Sequence, residues 1–355
     1  MGLRRLDQVP YIPLLGLRPA EMQALEELPN RDKDLVMPLV PIGPWVGAHH
    51  LSSSLSRLEQ AYGDRPCFVT LAELEPNSTE RPVHQQITSL GDPTGGYRNW
   101  CSFVESHSNF VPTIQLGQLR ELRPQCAVLN AFGRGIMVPI EYLIFEAAER
   151  LSIEIGSLTN GGEDVLFLLD LGRVDRDILN WEMRINGLIQ VILKNASNSM
   201  ISVSASSFPE SFSSINSQEI FERSLFHRIV SSSRGKLIYS DRGSARAERQ
   251  TGGGGAPAPR IDYALKDQWT FFRSDNGEGP TAYFEQAKAA IKSAQWDPKI
   301  RIWGTQMIER TALGDYSAIV SPKRSTAARI NIHLHRQLFY DDPTQIYDTD
   351  DEWSD

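Results

Sequence analysis

Cysteine is scarce in this chain: Cys67, Cys101 and Cys126 are the three in 355 residues, and no two stand at CxxC spacing. Reduced thiols are therefore expected, not a disulfide framework or a zinc site. Long apolar runs are missing as well. No stretch approaches the roughly 20 residues that a transmembrane helix needs, and Met1 to Pro10 lacks the apolar core of a signal peptide. The expectation is a cytoplasmic protein with no membrane contact. The GxSxG, Walker A, HExxH and strand-to-helix GxGxxG signatures are all absent. Four consecutive glycines, Gly252 to Gly255, do occur, but no strand feeds them and no Lys-Ser/Thr helix follows, so they are not a phosphate loop.

Basic charge is also in short supply. The net charge is -8, and the segment from Asp341 to Asp355 carries seven acids and no base, so the rest of the chain is left at -1. A near-neutral body lacks the overall footprint of an unspecific nucleic-acid binder.

What the chain does have is a series of short apolar runs. The run Asp164 to Asp170 places five consecutive apolar residues between carboxylates. It does not alternate, which suits a strand buried on both faces of a parallel sheet. Comparable runs start near positions 11, 36, 67, 109, 135, 200 and 237. Helix-like stretches separate them, with Leu51, Leu55 and Leu58 on one face and Ile178, Trp181, Ile185, Leu188, Ile189 and Ile192 on another. The spacing suits βαβ units of about 30 or more residues. Eight such units predict an α/β fold, a (β/α)8 TIM-barrel-like body with a small C-terminal strand/helix extension.

The expected organisation is a barrel body over 1–246, a flexible Gly/Pro-rich loop over 247–260, barrel completion or a small α+β extension over 261–340, and a disordered acidic tail over 341–355. Ile261 to Arg273 and Ala328 to Leu334 read as further strands, with a helix from Thr281 to Ser293 between them. On that reading His333 and His335 alternate along a strand and share a face.

In barrels of this class the active site lies at the C-terminal ends of the strands. Those positions are Arg18, Glu73, Gln115, Glu141, Asp170, Ser204 or Ser206, and Asp241. Converging carboxylates bind a divalent cation through hard oxygen ligands, or act as an acid/base pair with pKa values pushed apart. Glu141, Asp170 and Asp241 are thus the candidate catalytic or metal-binding residues. The competing reading is that each caps a helix or pairs with a neighbouring base. After the seventh run come Ser204, Ser206 and Ser207, where many barrels bind phosphate; with Arg18 and Gln115 they form the candidate anion-binding set. Lys266, Trp269, Phe271, Phe272 and Arg273 interleave bases with aromatics, a pattern used to stack single-stranded nucleic acid. The plainer reading puts Trp269 and Phe271 on a core face.

Several segments, taken in order, carry a family resemblance. They are Tyr11-Ile12-Pro13 with Arg18 and Glu21, Met37-Pro38-Leu39-Val40-Pro41, Arg65-Pro66-Cys67-Phe68-Val69 and Phe110-Val111-Pro112. They continue with Leu168-Leu169-Asp170-Leu171-Gly172, Ser206-Ser207-Phe208-Pro209-Glu210, Tyr239-Ser240-Asp241 and Lys266-Asp267-Gln268-Trp269 before Phe272-Arg273. In this order the chain resembles the bacterial and phage beta family proteins over about residues 10 to 340. The resemblance implies a barrel-like fold and an origin among mobile elements, prophages or defence-type gene clusters, and brings no established mechanism. Where relatives carry an Arg-x-Arg-type strand ending in a carboxylate, this chain has Ile136-Met137-Val138-Pro139-Ile140-Glu141, which keeps the acid and lacks the bases.

Three functions follow as expectations. The first is a binding or regulatory component of a phage-related or anti-phage defence system, acting with a protein partner from the same gene cluster. The second is a metal- or carboxylate-dependent hydrolase acting on a phosphorylated or nucleotide-like ligand at the barrel mouth. The third, which the near-neutral body disfavours, is a single-stranded nucleic-acid binder.

Overall fold

In the computed structural model the described residues are 5–74, 81–212, 215–233, 235–246, 258–273 and 279–349. Their strands are β1 (Tyr11–Pro13), β2 (Leu39–Ile42), β3 (Cys67–Leu71), β4 (Phe110–Pro112), β5 (Ile136–Glu141), β6 (Val165–Arg173), β7 (Met200–Ser206), β8 (Ser217–Glu219), β9 (Leu237–Asp241), β10 (Arg260–Ala264) and β11 (Gln268–Arg273). The helices are α1 (Pro19–Glu26), α2 (Asn30–Leu35), α3 (Leu51–Tyr62), α4 (Pro82–Leu90), α5 (Thr94–Glu105), α6 (Leu122–Ala131), α7 (Ala148–Leu158), α8 (Glu182–Asn195), α9 (Phe221–Ser232), α10 (Gly279–Lys292), α11 (Trp303–Ala312) and α12 (Pro322–Leu338).

The fold is mixed α/β around parallel sheet. Strand β6 is interior, with Val165 to Leu169 buried on both faces, and it pairs in parallel with β5 and β7. The five-stranded sheet runs β1-β9-β7-β6-β5, and β2-β3-β4 form a second, three-stranded parallel sheet. The continuous ladder expected of one eight-stranded sheet is therefore divided in two. Single parallel bridges join the parts, Tyr11 to Val36 and Leu14 to Leu39 on one side and Thr113 to Met137 on the other.

Residue parity along the strands separates two apolar layers. Ile12, Met37, Leu39, Phe68, Val111, Met137, Leu166, Leu168 and Ile238 pack into one cluster, to which every parallel strand except β7 gives a buried residue and β7 adds the partly buried Met200. The intervening residues, such as Val138, Phe167, Leu169, Val203 and Tyr239, face the helices in a larger cluster. At about 1.5–3 kcal/mol for each fully buried large apolar side chain, these two layers dominate the stabilisation.

Strands β8, β10 and β11 form an antiparallel sheet. With α10 and α11 it surrounds a third cluster containing Trp269, Tyr263 and Ile308. The span expected as one strand, 261–273, is a hairpin, and the strand expected at Ala328 to Leu334 is helical, lying inside α12. The alternation Ile330-Asn331-Ile332-His333-Leu334-His335 misleads because this helix is buried all round. Its apolar residues contribute to both the body cluster and the small-sheet cluster, and a helix without a wet face loses the amphipathic period.

Several of its polar residues meet specific partners instead. Asn331 donates to the Ala24 carbonyl (3.0 Å) and accepts from the Gly304 N–H (2.9 Å), while Arg336 donates to the Tyr263 hydroxyl (2.8 Å). Gly304, in α11, lies so close to α12 that a Cβ there would meet the Ala328 carbonyl oxygen at 2.6 Å. Gly304→Ala is expected to cost about 1–3 kcal/mol by overpacking, read as a lower urea midpoint at unchanged m. A midpoint equal to the parent's would show that the two helices can separate freely.

The start of the acidic tail is docked, not disordered. Arg31 pairs with Asp348 at 2.8 Å, and the Ile346 carbonyl faces Nε2 of His335 at 2.8 Å while Nδ1 faces Asp32 at 2.7 Å. Residues 350–355, and the glycine run Gly252 to Gly255 within most of the expected flexible loop, lie outside the described residues. No helix among the described residues is long and apolar enough to cross a membrane.

Candidate functional site at the strand ends

Side-chain direction decides which of the expected residues meet. In β6, Leu166 and Leu168 point into the strand-only cluster, so Asp170 continues that inward series. Glu141 is its registered neighbour on β5 and Ser204 its neighbour on β7. The three therefore form one row at the C-terminal end of the sheet. Asp170 accepts from the Gly172 N–H at 3.0 Å and from Nη2 of Arg242 at 2.5 Å. Burial pushes the Glu141 carboxyl up, and the neighbouring Asp170 and Glu73 carboxylates add to this against the pull of Arg242. The Ser204 hydroxyl is buried with no hydrogen-bond partner among the described residues. Gln115 is held by Gln125, whose Oε1 accepts its N–H at 2.7 Å, and its own side-chain amide donates to Thr113 Oγ1 at 3.1 Å. This row offers a polar ligand one protonatable acid, one free hydroxyl and an acid already neutralised by arginine.

Asp241 does not join it. It is in phase with Tyr239, not Ile238, so it faces the helix layer. There its two oxygens accept from the Tyr11 hydroxyl (2.5 Å), the Tyr239 hydroxyl (2.9 Å), the Gly243 N–H (2.7 Å) and Nε2 of His333 (2.8 Å). The Trp269 indole N–H, which can only donate, points at Nδ1 of His333 at 3.3 Å. The imidazole proton therefore sits on Nε2, directed at Asp241. Burial pushes the Asp241 carboxyl up, but the imidazole and the hydrogen bonds from His333, Tyr11 and Gly243 outweigh it and hold it below the usual carboxylate range. Both tyrosines are driven well above their ordinary values, by burial first and then by this carboxylate. The expected three-carboxylate centre is thus corrected by strand parity. Among the described residues no group of three or more His, Cys, Asp or Glu is placed to hold a metal ion.

The expected phosphate loop after β7 holds a carboxyl group of the protein's own. The Ser207 N–H donates to both oxygens of Glu222 at 3.2 Å, and its hydroxyl donates to Oε2. Glu222 lies in the first turn of α9, and burial pushes its carboxyl up to about 8 despite the hydrogen bonds from Ser207. Ser206 donates to the Ala245 carbonyl at 2.7 Å. Neither serine has the open donor that an external phosphate needs. Arg18, the remaining member of the anion set, lies apart on the wall of a separate cleft. The Lys266 to Arg273 segment offers no stacking platform, because Trp269 and Phe271 are buried in the third cluster.

Sequence reasoning missed Arg242 and Glu222. Arg242 was within reach: it continues the Ile238, Ser240 series one step past β9. Glu222 carried no local signal, since its partner is 15 residues away.

Comparisons with known proteins bear on this geometry. The family model described as Beta protein matches residues 11–339, which spans all eight parallel strands and α12. The chain belongs to the Beta protein family. It is also similar to Protein beta of Enterobacteria phage P4, at 28% identity over 355 residues, covering 96% of this chain and 97% of the phage protein. No solved structure matches. The phage relative covers this Beta-family chain nearly end to end, so the row at β5 to β7 and the small antiparallel sheet both fall inside the shared length.

Proposed function

We propose that this Beta-family chain is a binding or regulatory component of a phage-related or anti-phage defence system, working through a protein partner from the same gene cluster. One observation carries the reading. Three consecutive large apolar residues, Tyr142, Leu143 and Ile144, lie exposed directly after β5, with Leu143 at 76%. Met183, 85% exposed, stands just past the loop after β6. Ring contact between Tyr142 and Trp181, with centroids 6.0 Å apart, joins the two segments. Single exposed apolar residues are ordinary, whereas a grouped set beside polar strand ends is the composition of a protein-binding surface.

The site chemistry agrees. Of the three acids first considered for catalysis, Asp170 is neutralised by Arg242 and Asp241 is fully engaged inside the fold. That supports binding over hydrolysis. In the same reading the two parallel sheets, with their three bridges and shared inner cluster, close into a (β/α)8 barrel whose eighth helix is α12, and β10 to α11 are an insertion before it.

The test is co-purification of the tagged full chain with the product of the adjacent gene. Replacing Leu143 and Met183 together by Asp is expected to reduce partner recovery at least tenfold without lowering Tm. Undiminished recovery by that variant would refute this surface.

A further inference from the structure

Four arginines converge on a cleft of about 390 Å³ that lies apart from both the carboxylate row and the apolar surface. Arg18 comes from the start of α1, Arg246 from the segment after β9, Arg260 from β10 and Arg329 from α12. Phe208 and Phe212, from the loop after β7, support them: the guanidinium of Arg329 lies 4.0 Å over Phe208, and that of Arg260 lies 3.3 Å over Phe212. Such stacking holds the planar groups in fixed orientations with their N–H edges directed elsewhere.

The charge is unbalanced. Asp262 is shared by Arg260 and Arg329, the latter at 2.7 Å. Glu21 stands 3.6 Å from Arg18, and its burial disfavours the ionised form. Arg246 donates to the backbone carbonyls of Glu210 at 2.6 Å and Pro209 at 3.2 Å and lies 5.7 Å from the Phe212 ring centre. Among the described residues these four guanidiniums face three carboxylates, Asp262, Glu21 and Glu210, the last shared with Arg173, so positive charge stays in excess in a partly desolvated cleft. Burial and the proximity of Arg260 both work against the charge on Arg246, and burial brings Arg329 down to about 10. Mutual repulsion of this kind is costly unless a counter-anion relieves it. The first turn of α12, through Pro322 and Ser325, forms one wall, and a helix N-terminus adds favourable dipole for an anion.

We propose that this cleft binds a small phosphorylated ligand carrying two or three negative charges, up to the size of a nucleoside diphosphate. Guanidinium forks match phosphate oxygens two at a time, and the volume lies in the range of small-ligand sites at about 300–1,000 Å³. A cleft of this size on a near-neutral body favours a compact ligand over a nucleic-acid strand. The site is independent of the partner surface at Leu143 and Met183, so either can fail alone.

Isothermal titration of the full chain with ADP, pyrophosphate, adenosine and a 20-nucleotide single-stranded DNA tests it. ADP and pyrophosphate are expected to bind saturably at one site, and adenosine is not. Arg18→Gln combined with Arg246→Gln should weaken ADP at least tenfold, whereas Arg120→Gln, on an exposed side chain elsewhere, should not change it. Should the double variant melt early, Arg18→Gln alone, with half its side chain exposed, carries the comparison. Absence of saturable binding by both ADP and pyrophosphate overturns the proposal, as does unchanged affinity in the folded variants. DNA binding that ADP does not displace also overturns it.

Discussion

Asp241→Ala is expected to destabilise the protein by about 3–5 kcal/mol, the usual cost of removing one partner from a buried charged network. The carboxylate accepts four hydrogen bonds, from Tyr11, Tyr239, Gly243 and His333, and is wholly buried. Alanine would leave all four donors facing an empty space that none can exchange for water. The loss also reaches beyond one strand end. His333 belongs to α12 and its other nitrogen receives the Trp269 indole, so Asp241 links the parallel sheet through α12 to the small antiparallel sheet.

Urea unfolding followed by circular dichroism measures the effect. A loss under about 1 kcal/mol would mean that the network is dispensable. The pH dependence has a definite sign. The folded pKa of Asp241 is depressed, so its contribution is present above the unfolded value of about 3.9 and is lost as pH falls through the folded value. The difference between wild type and variant should therefore hold constant above about pH 4 and narrow only in acid below it.

Glu222→Gln is expected to act in the opposite sense. Here the folded pKa is raised to about 8, above the unfolded value of about 4.3. Between those values the folded protein binds a proton that the unfolded chain has released. The wild type should thus lose stability as pH rises through this window, by up to about 1.4 kcal/mol per pH unit and about 5 kcal/mol in all. Glutamine keeps an oxygen for the Ser207 N–H and does not titrate. The variant should match the wild type near pH 5 and exceed it by pH 8. Parallel stability curves from pH 5 to pH 8 would show that Glu222 is ionised in the fold throughout.

Both predictions concern residues whose roles depend on which way a side chain points. Asp170 and Asp241 look alike in the sequence, each a carboxylate at the end of an apolar run. Asp170 follows Leu168 and Leu166 into the strand-only cluster, whereas Asp241 follows Tyr239 toward the helices. A shift of one residue in where a strand is taken to end exchanges the two faces, and short apolar runs do not define that end. Ser207 was expected to hold an external anion. That its partner is the Glu222 carboxyl was not legible, because nothing local marks residues 207 and 222 as neighbours.

The order of apolar runs determined the parallel strands, their sequence along the chain and the helices between them, because burial on both faces demands uninterrupted apolar residues wherever the chain later packs. It also placed Glu141, Asp170 and Ser204 at strand ends. Tertiary structure alone decided the character of α12, whose alternating Ile, Asn and His residues read as a strand until packing on both sides removed the need for a polar face. It alone assembled Arg18, Arg246, Arg260 and Arg329 across more than 300 positions. Periodicity reports the burial of a single element, whereas charges contributed by four elements meet only when the packing of all four is set.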